Sequence, residues 1–160
     1  MILDAESSSG KVMITGNGGS ATIASHAHAD LYKGVGVKSM VFTEQALLTA
    51  LANDDGYDSV FEGPIRQWSQ TGDLLITVSS SGRSENILRA AQSARGMGCR
   101  VITLTGFAPD NPSRQLGDLN FYVDSSEYGF VETTHAALAH FLTDQARVTV
   151  QEAMDNKASS

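Results

Sequence analysis

The sequence has a single cysteine among its 160 residues, Cys99, so it cannot form an internal disulfide. It also has no apolar run of about 18 residues, the length that a helix needs to cross a membrane, and we expect no membrane partner. Met1–Gly10 is polar and acidic, whereas a signal peptide needs a basic start and an apolar stretch. These absences predict a protein of the reducing cytoplasm, with Cys99 as a buried core thiol at the start of a strand.

Basic charge is scarce as well. The chain has 11 lysines and arginines against 18 aspartates and glutamates, for a net charge of −7. Without a Lys/Arg cluster that could follow a phosphate backbone, we do not expect direct binding to nucleic acid. A small phosphorylated ligand remains compatible with this charge, because backbone amides at a helix N-terminus can hold a phosphate.

Two nucleotide-binding fingerprints are missing. No GxxxxGK[ST] pattern occurs, so a nucleoside triphosphate site is not supported. The glycine-rich segment Gly16–Ser20 reads GNGGS and does not match the GxGxxG fingerprint of dinucleotide-binding proteins. A dinucleotide or nucleotide-sugar enzyme is therefore not expected.

The sequence does contain five short, β-branched apolar runs. Their near-continuous apolar character predicts strands buried on both faces. They lie at Val12–Thr15, Ser39–Thr43, Leu74–Ser79, Val101–Thr105 and Asn120–Val123.

Segments with helical spacing alternate with these runs. They lie at Ala21–Lys33, Glu44–Asn53, Ser59–Gln70, Ser84–Met97 and Phe130–Met154. This alternation predicts an α/β protein with a doubly wound, five-stranded parallel sheet in three layers. The length fits a single domain spanning 1–160, in which we expect 1–10 and 156–160 to be flexible.

Small polar residues follow three of the predicted strands, where parallel sheets bind their ligands. They are Gly16–Ser20, Ser79–Ser84 and the pair Thr105-Gly106. Ser20 could cap the following helix, and the four hydroxyls of Ser79–Ser84 could surround a phosphate at a helix N-terminus. The alternatives are that the first loop only turns the chain and that Ser84 only caps its helix.

Histidines and carboxylates recur on two predicted helices. His26 and Asp30 are four residues apart and share a face. Glu132 and His140 are eight apart and lie roughly on one face, whereas His135 points elsewhere. Two histidines and two carboxylates suit a tetrahedral Zn²⁺ site. The alternative is that each histidine is an ordinary surface or core residue.

Three segments in order carry a resemblance to a known family: GNGGS, ANDDGYD at 52–58, and the run from Asp73 to Gly106 that contains SSSGRS. Together they resemble the sugar isomerase (SIS) domain family and, within it, the phosphoheptose isomerases, over about residues 11–151. The resemblance implies a flavodoxin-like fold of the SIS type. It also implies aldose–ketose isomerisation, through an enediol, of a C7 sugar phosphate such as sedoheptulose 7-phosphate.

The resemblance assigns roles to individual residues. It places the catalytic pair at Asp30 and His140, and the ligands of a possible zinc ion at His26, Asp30, Glu132 and His140. It implies that the substrate is contacted by Asn17, Gly18, Gly19, Ser20, Asn53, Asp54, Ser79, Ser80, Ser81, Ser84 and Glu132.

The sequence departs from the family pattern in two places. Gly129-Phe130 replaces an Asp-Arg pair before the last helix, and only about ten residues precede the first strand.

The family forms homotetramers with active sites at subunit interfaces, and we expect a homo-oligomer here. The alternative substrate is a C8 sugar phosphate of a bacterial secondary-metabolite pathway. The alternative function is a phosphosugar sensor or adaptor without catalysis, which would need the serine loop (Ser79–Ser84) but not the histidines.

Overall fold

The computed structural model describes residues 1–158 and contains one parallel sheet with helices on both faces. The strands lie side by side in the order β2-β1-β3-β4-β5, and all four pairings are parallel. This is the doubly wound, three-layer arrangement that the sequence predicts. The strands are β1 (Val12–Gly16), β2 (Ser39–Val41), β3 (Leu74–Ser79), β4 (Arg100–Thr105) and β5 (Leu119–Tyr122).

Within the described residues, six α-helices connect and cover these strands, and five of them match the predicted segments to within a few residues. They are α1 (Ile2–Ser7), α2 (Gly19–Asp30), α3 (Gln45–Asp54), α4 (Glu62–Trp68), α5 (Glu85–Gly96) and α6 (Tyr128–Ala158). A single π-helical turn, Leu31–Val35, extends α2. Although α6 has 31 residues, neither it nor another helix within 1–158 is long and apolar enough to span a membrane.

The central strands divide their side chains between two hydrophobic cores. Ile14 and Ile76 point to the face covered by α1, α2 and α6. Met13 and Leu75, the next residues along each strand, point to the face covered by α3, α4 and α5. Because successive strand residues face opposite sides, a continuous apolar run fills both cores at once. Cys99 is buried in the second core, as predicted, just before β4.

Burial on both faces holds for β1 and β3 but not for the edge strands. Every residue of β1 and β3 is buried. The three residues of β2 are only partly buried, and Leu119 and Asn120 at the start of β5 are exposed. The prediction of full burial is wrong for these two strands, because each has a neighbour on one side only.

The N-terminal segment differs from its expected flexibility. Residues 2–7 form α1, and its Ile2 and Ala5 lie in the first core with 7% and 0% exposure. Two apolar residues three positions apart share a helix face. This short pattern is the feature of the sequence that favours packing of residues 2–7 against the core. At the other end, α6 continues to Ala158, and positions 159–160 of the expected flexible tail lie outside the described residues.

Candidate active site

The strand order reverses beside β1, and a polar cavity lies there. β1 pairs with β2 on one side and with β3 on the other, and Gly16 is in register with Val78. The loops that follow β1 and β3 therefore come together, as expected at the switch point of a doubly wound sheet. They line a cavity of about 260 Å³, which we call the switch-point cavity. Its walls are Asn17, Gly18, Gly19, Ser20, Val78, Ser79, Ser80, Ser81, Ser84, Tyr128 and Glu132.

The serine loop presents neutral donors to this cavity. Among the described residues the buried Ser80 hydroxyl has no hydrogen-bond partner. Ser84 occupies the N-cap position of α5, yet its side chain accepts no capping bond within 1–158. Its hydroxyl therefore remains available to a ligand at a helix N-terminus, where an anion is stabilised by the helix dipole. The arrangement can bind a phosphate without a cationic side chain.

Gly82 gives the serine loop its shape. Its backbone has a φ of +60°, a region that a residue with a side chain rarely adopts. A Cβ at this position would also overlap the buried side chain of Asn111. Asn111 in turn donates hydrogen bonds to the carbonyls of Gly106 and Ala108, at 3.3 and 2.9 Å. The loop after β4 thus supports the serine loop from behind instead of lining the cavity.

The glycine loop places a helix N-terminus and a carboxylate at the opposite wall. Gly18 is the N-cap of α2, and Ser20 lies within the helix, so the prediction that Ser20 caps α2 is wrong. Ser20 still lines the cavity. A Cβ on Gly19 would come within 2.6 Å of Glu132 Oε2, so a side chain here would push the Glu132 carboxylate away. The Glu132 carboxylate consequently lies at the positive end of the α2 dipole.

Asn17 is held by two residues that the sequence did not single out. Its side-chain amide and that of Asn86 exchange two hydrogen bonds of 2.9 Å. Asn17 Oδ1 also accepts a bond of 3.0 Å from the Tyr57 hydroxyl. The available signals were the ANDDGYD segment, which contains Tyr57, and the position of Asn86 in the first turn of a helix behind the serine loop.

Asn53 and Asp54 do not line the switch-point cavity. Both are exposed at the end of α3, where Asn53 donates a hydrogen bond of 2.7 Å to Asp54. Gly56 follows with a φ of +86°. This geometry agrees with the role of a turn, and it places neither side chain against the other predicted substrate residues.

The second group of predicted residues meets between α2 and α6. Asp30 Oδ2 lies 3.3 Å from His140 Nδ1 and 3.6 Å from His26 Nε2. The two imidazole rings pack edge to face, with their centroids 5.0 Å apart. One ligand atom from each residue lies within 4.8 Å of the others, so this histidine cluster (His26, Asp30 and His140) can hold a metal ion.

Glu132 is not part of the histidine cluster. It lines the switch-point cavity, whereas Asp30 and His140 line a separate cavity of about 170 Å³. Since α2 and α6 run in the same direction, Gly19 meets Glu132 near one end of the pair and Asp30 meets His140 further along. The structure thus brings together three of the four residues proposed as metal ligands.

His135 lies apart from both groups. Its side chain is fully buried, and neither ring nitrogen has a hydrogen-bond partner within 1–158. Burial lowers the pKa of His135 from its ordinary value, because the charged form loses its hydration. The imidazole is therefore favoured in its neutral form.

Comparison with known proteins shows the family of this chain. The sequence model described as "SIS domain" matches residues 1–106. The chain belongs to the SIS domain family. The family resemblance of the three sequence segments is thereby confirmed, as is the α/β fold with its parallel sheet.

Curated relatives and solved structures agree with this assignment. The phosphoheptose isomerase of Aliarcobacter butzleri is 36% identical to this SIS domain over 155 residues, which cover 93% of the chain and 77% of the relative. That of Campylobacter concisus is 37% identical over 150 residues, covering 88% and 77%. The structure of phosphoheptose isomerase from Neisseria gonorrhoeae superposes with a TM-score of 0.83 at 31% identity, covering 90% of this chain and 79% of that one.

Proposed function

We propose that this SIS domain is an aldose–ketose isomerase of a C7 sugar phosphate such as sedoheptulose 7-phosphate. The observation that carries the proposal is the Asp30–His140 pair, with its oxygen and nitrogen 3.3 Å apart, on the two helices whose N-terminal parts flank a serine-lined cavity. The relatives named phosphoheptose isomerase support this reaction and this substrate.

The switch-point cavity would bind the phosphate. Hydroxyls of Ser79, Ser80, Ser81 and Ser84 and the N-terminus of α5 offer donors to its oxygens. The Glu132 carboxylate at the opposite wall would repel a phosphate but accepts hydrogen bonds from sugar hydroxyls. Asn53 and Asp54 would reach the sugar only from outside this cavity.

Asp30 and His140 would carry out the proton transfers. Isomerisation needs a base that removes the proton from the carbon beside the carbonyl, which gives an enediol. It then needs an acid that returns a proton to the neighbouring carbon. A carboxylate and an imidazole in contact can divide these steps, since each can accept a proton and return it.

A zinc ion is the metal that best fits the histidine cluster. Two imidazole nitrogens and one carboxylate oxygen are donors that Zn²⁺ accepts, and three protein ligands leave one position free for substrate or water. His26, Asp30 and His140 would hold the ion. Zinc would polarise the carbonyl of the substrate and stabilise the negative charge of an enediolate.

A homotetramer would explain why the two groups of residues line separate cavities on one chain. Glu132 and His140 are eight residues apart on α6, a distance of about 12 Å along the helix axis. The side chains of His26 and His140 are 63% and 55% exposed, so a neighbouring chain could bring its own serine-lined cavity to them. The exposed Tyr32 and Phe141 offer apolar surface for such an interface. The single buried cysteine supports a cytoplasmic location.

Proton NMR of sedoheptulose 7-phosphate in D₂O, with Zn²⁺ and the protein, tests the proposal. New aldose signals with deuterium entering at C1 or C2 are the expected result, and His140→Ala should abolish them. If the ketose stays unchanged, an octulose phosphate is assayed next, as the substrate expected in a secondary-metabolite pathway. Failure with both would overturn the isomerase and favour a phosphosugar sensor.

A further inference from the structure

Tyr128 is an aromatic side chain in a cavity that is otherwise made of small polar groups. It is the first residue of α6, lines the switch-point cavity and is 61% exposed. Glu132 follows one helical turn later, so the ring and the carboxylate lie on the same side of the helix. An exposed tyrosine ring at the wall of a cavity offers an apolar surface and a hydroxyl to a ligand.

Phe107 holds this ring in place. The two rings pack edge to face, with their centroids 4.9 Å apart and their planes at 74°. This is a favourable geometry for an aromatic pair. Phe107 thus limits the directions in which the exposed Tyr128 ring can turn.

The backbone of Phe107 is strained. Its φ is +59°, in the left-handed region that a bulky side chain rarely adopts. Two hydrogen bonds fix it there: its N–H donates to the Ser125 carbonyl at 2.9 Å, and its carbonyl accepts from the Tyr122 hydroxyl at 2.8 Å. Backbone strain that the surroundings maintain so firmly is concentrated at ligand sites in proteins.

We propose that Tyr128 contacts the carbon chain of the bound sugar and sets the preference for a long sugar phosphate, and that Phe107 is its positioning residue. The proposal rests on the phosphosugar site proposed above. The phosphate lies at the serine loop, and the sugar carbons extend along the wall formed by Tyr128 and Glu132. Tyr128 immediately precedes Gly129-Phe130, where the sequence departs from the pattern of its family.

The first experiment compares Tyr128→Ala with the parent chain. The substrates are sedoheptulose 7-phosphate and the shorter ribulose 5-phosphate, and inorganic phosphate is measured as a competing ligand. For Tyr128→Ala we expect kcat/KM to fall about tenfold for the longer ketose and less than threefold for the shorter one. The affinity for inorganic phosphate should stay within twofold, since the serine loop is untouched. Phe130→Ala is the matched control, because Phe130 is an exposed aromatic of α6 that does not line the cavity.

The second experiment separates positioning from folding. Phe107→Gly removes the ring and relieves the unfavourable φ, so the variant should melt no more than a few degrees below the parent. It should nevertheless lose selectivity in the same direction as Tyr128→Ala. Phe107→Tyr keeps the ring and should restore the preference for the longer sugar.

Three results would overturn the inference: unchanged selectivity in Tyr128→Ala, equal losses for both sugars and inorganic phosphate, or unchanged selectivity in Phe107→Gly. Should the parent chain fail to isomerise either sugar, the comparison is made by calorimetric binding of the same ligands. Weaker binding of sedoheptulose 7-phosphate alone in Tyr128→Ala would then support the contact while the isomerase proposal fails.

Discussion

Asn17 and Asn86 hold each other through two hydrogen bonds of 2.9 Å, one in each direction between their side-chain amides. Asn17 belongs to the loop after β1, and Asn86, which is 2% exposed, belongs to the first turn of α5 behind the serine loop. The pair therefore fixes the separation of the two walls of the switch-point cavity before a ligand arrives. Such preorganisation lowers the cost of binding.

Asn86→Ala should weaken substrate binding, because it releases the loop after β1 from the N-terminal turn of α5. The variant leaves the Asn17 amide without its buried partner, so we expect a loss of about 1–2 kcal/mol in the free energy of unfolding. We expect KM to rise about tenfold while kcat changes less, because the proton-transfer pair is untouched. Tyr57→Phe removes only the third bond to Asn17 and should have a smaller effect in the same direction. Steady-state kinetics measure KM and kcat of each variant, and urea denaturation measures its stability. An unchanged KM in Asn86→Ala would show that the Asn17–Asn86 pair does not position the two loops for binding.

His140→Ala and Asp30→Asn should remove isomerisation. Because each removes one partner of the proposed acid–base pair, we expect kcat to fall by a factor of at least about 10². His28→Ala is the matched control, since His28 lies on the same helix as His26 but faces Ser39, with its Nδ1 2.8 Å from Ser39 Oγ. The NMR assay in D₂O reports each rate. Equal losses in His28→Ala would mean that the activity falls because the packing of α2 and α6 is disturbed, and not because an acid–base group is missing.

The sheet was predictable from the sequence because its signal is local. An uninterrupted apolar run such as Leu74–Ser79 is long enough to be a strand and apolar on both faces, and the observed β3 has the same bounds. The same reasoning placed His26 and Asp30 on one helix face, where they lie 3.6 Å apart. Local spacing was less informative for Glu132 and His140. It gives their angle around α6, but it does not show which cavity lies opposite each turn.

The residues that sequence reasoning missed act through contacts between distant segments. Asn86 meets Asn17 across 69 positions, and Tyr57 meets it across 40. Tyr128 adjoins Gly129-Phe130, but its contact with Phe107 and its place at the cavity wall depend on how α6 packs. Sequence periodicity does not reveal such contacts, because they form only once the strands have brought their loops to one edge of the sheet.

Zn²⁺ should stabilise the folded chain through the histidine cluster. A ligand at 100 times its Kd adds about 2.7 kcal/mol to the free energy of unfolding, so the melting temperature should rise measurably. His26→Ala should reduce that rise, because it removes one of three neighbouring ligand atoms.

Glu132→Gln distinguishes the three-residue cluster from the four-ligand set implied by the family resemblance. We expect this variant to keep the full zinc-dependent rise, since Glu132 lines the other cavity. If Glu132→Gln loses the rise as His26→Ala does, the chain rearranges to use all four ligands. Differential scanning fluorimetry with and without Zn²⁺ is sufficient.

Asp73→Ala should destabilise the fold far from both cavities. Asp73 is fully buried and accepts hydrogen bonds from the backbone N–H groups of Lys11 and Gln70, at 2.9 and 2.8 Å. Its Oδ2 also pairs with Lys11 Nζ at 2.6 Å. The Asp73→Ala change leaves two backbone N–H groups without their acceptor and a partly buried ammonium without its partner, and we expect it to cost about 2–3 kcal/mol. The exposed Glu85–Arg89 pair is the control, and Glu85→Ala should change urea denaturation far less.

His135 should make the folded state less stable as the pH falls. Burial lowers its pKa in the folded chain, whereas the unfolded chain keeps the ordinary value near 6.5. Below that pH the unfolded state binds a proton that the folded state does not, so the free energy of unfolding decreases with falling pH. The decrease from this group is at most about 1.4 kcal/mol per pH unit and stops once the pH is below the folded pKa.

His135→Phe keeps a buried ring without a titratable group. The difference in stability between parent and variant should therefore change in the variant's favour from pH 7 to pH 5, as measured by urea denaturation. Carboxylates titrate in both proteins and cancel in this difference, so parallel pH profiles would show that the folded chain accommodates the charged imidazole at no cost.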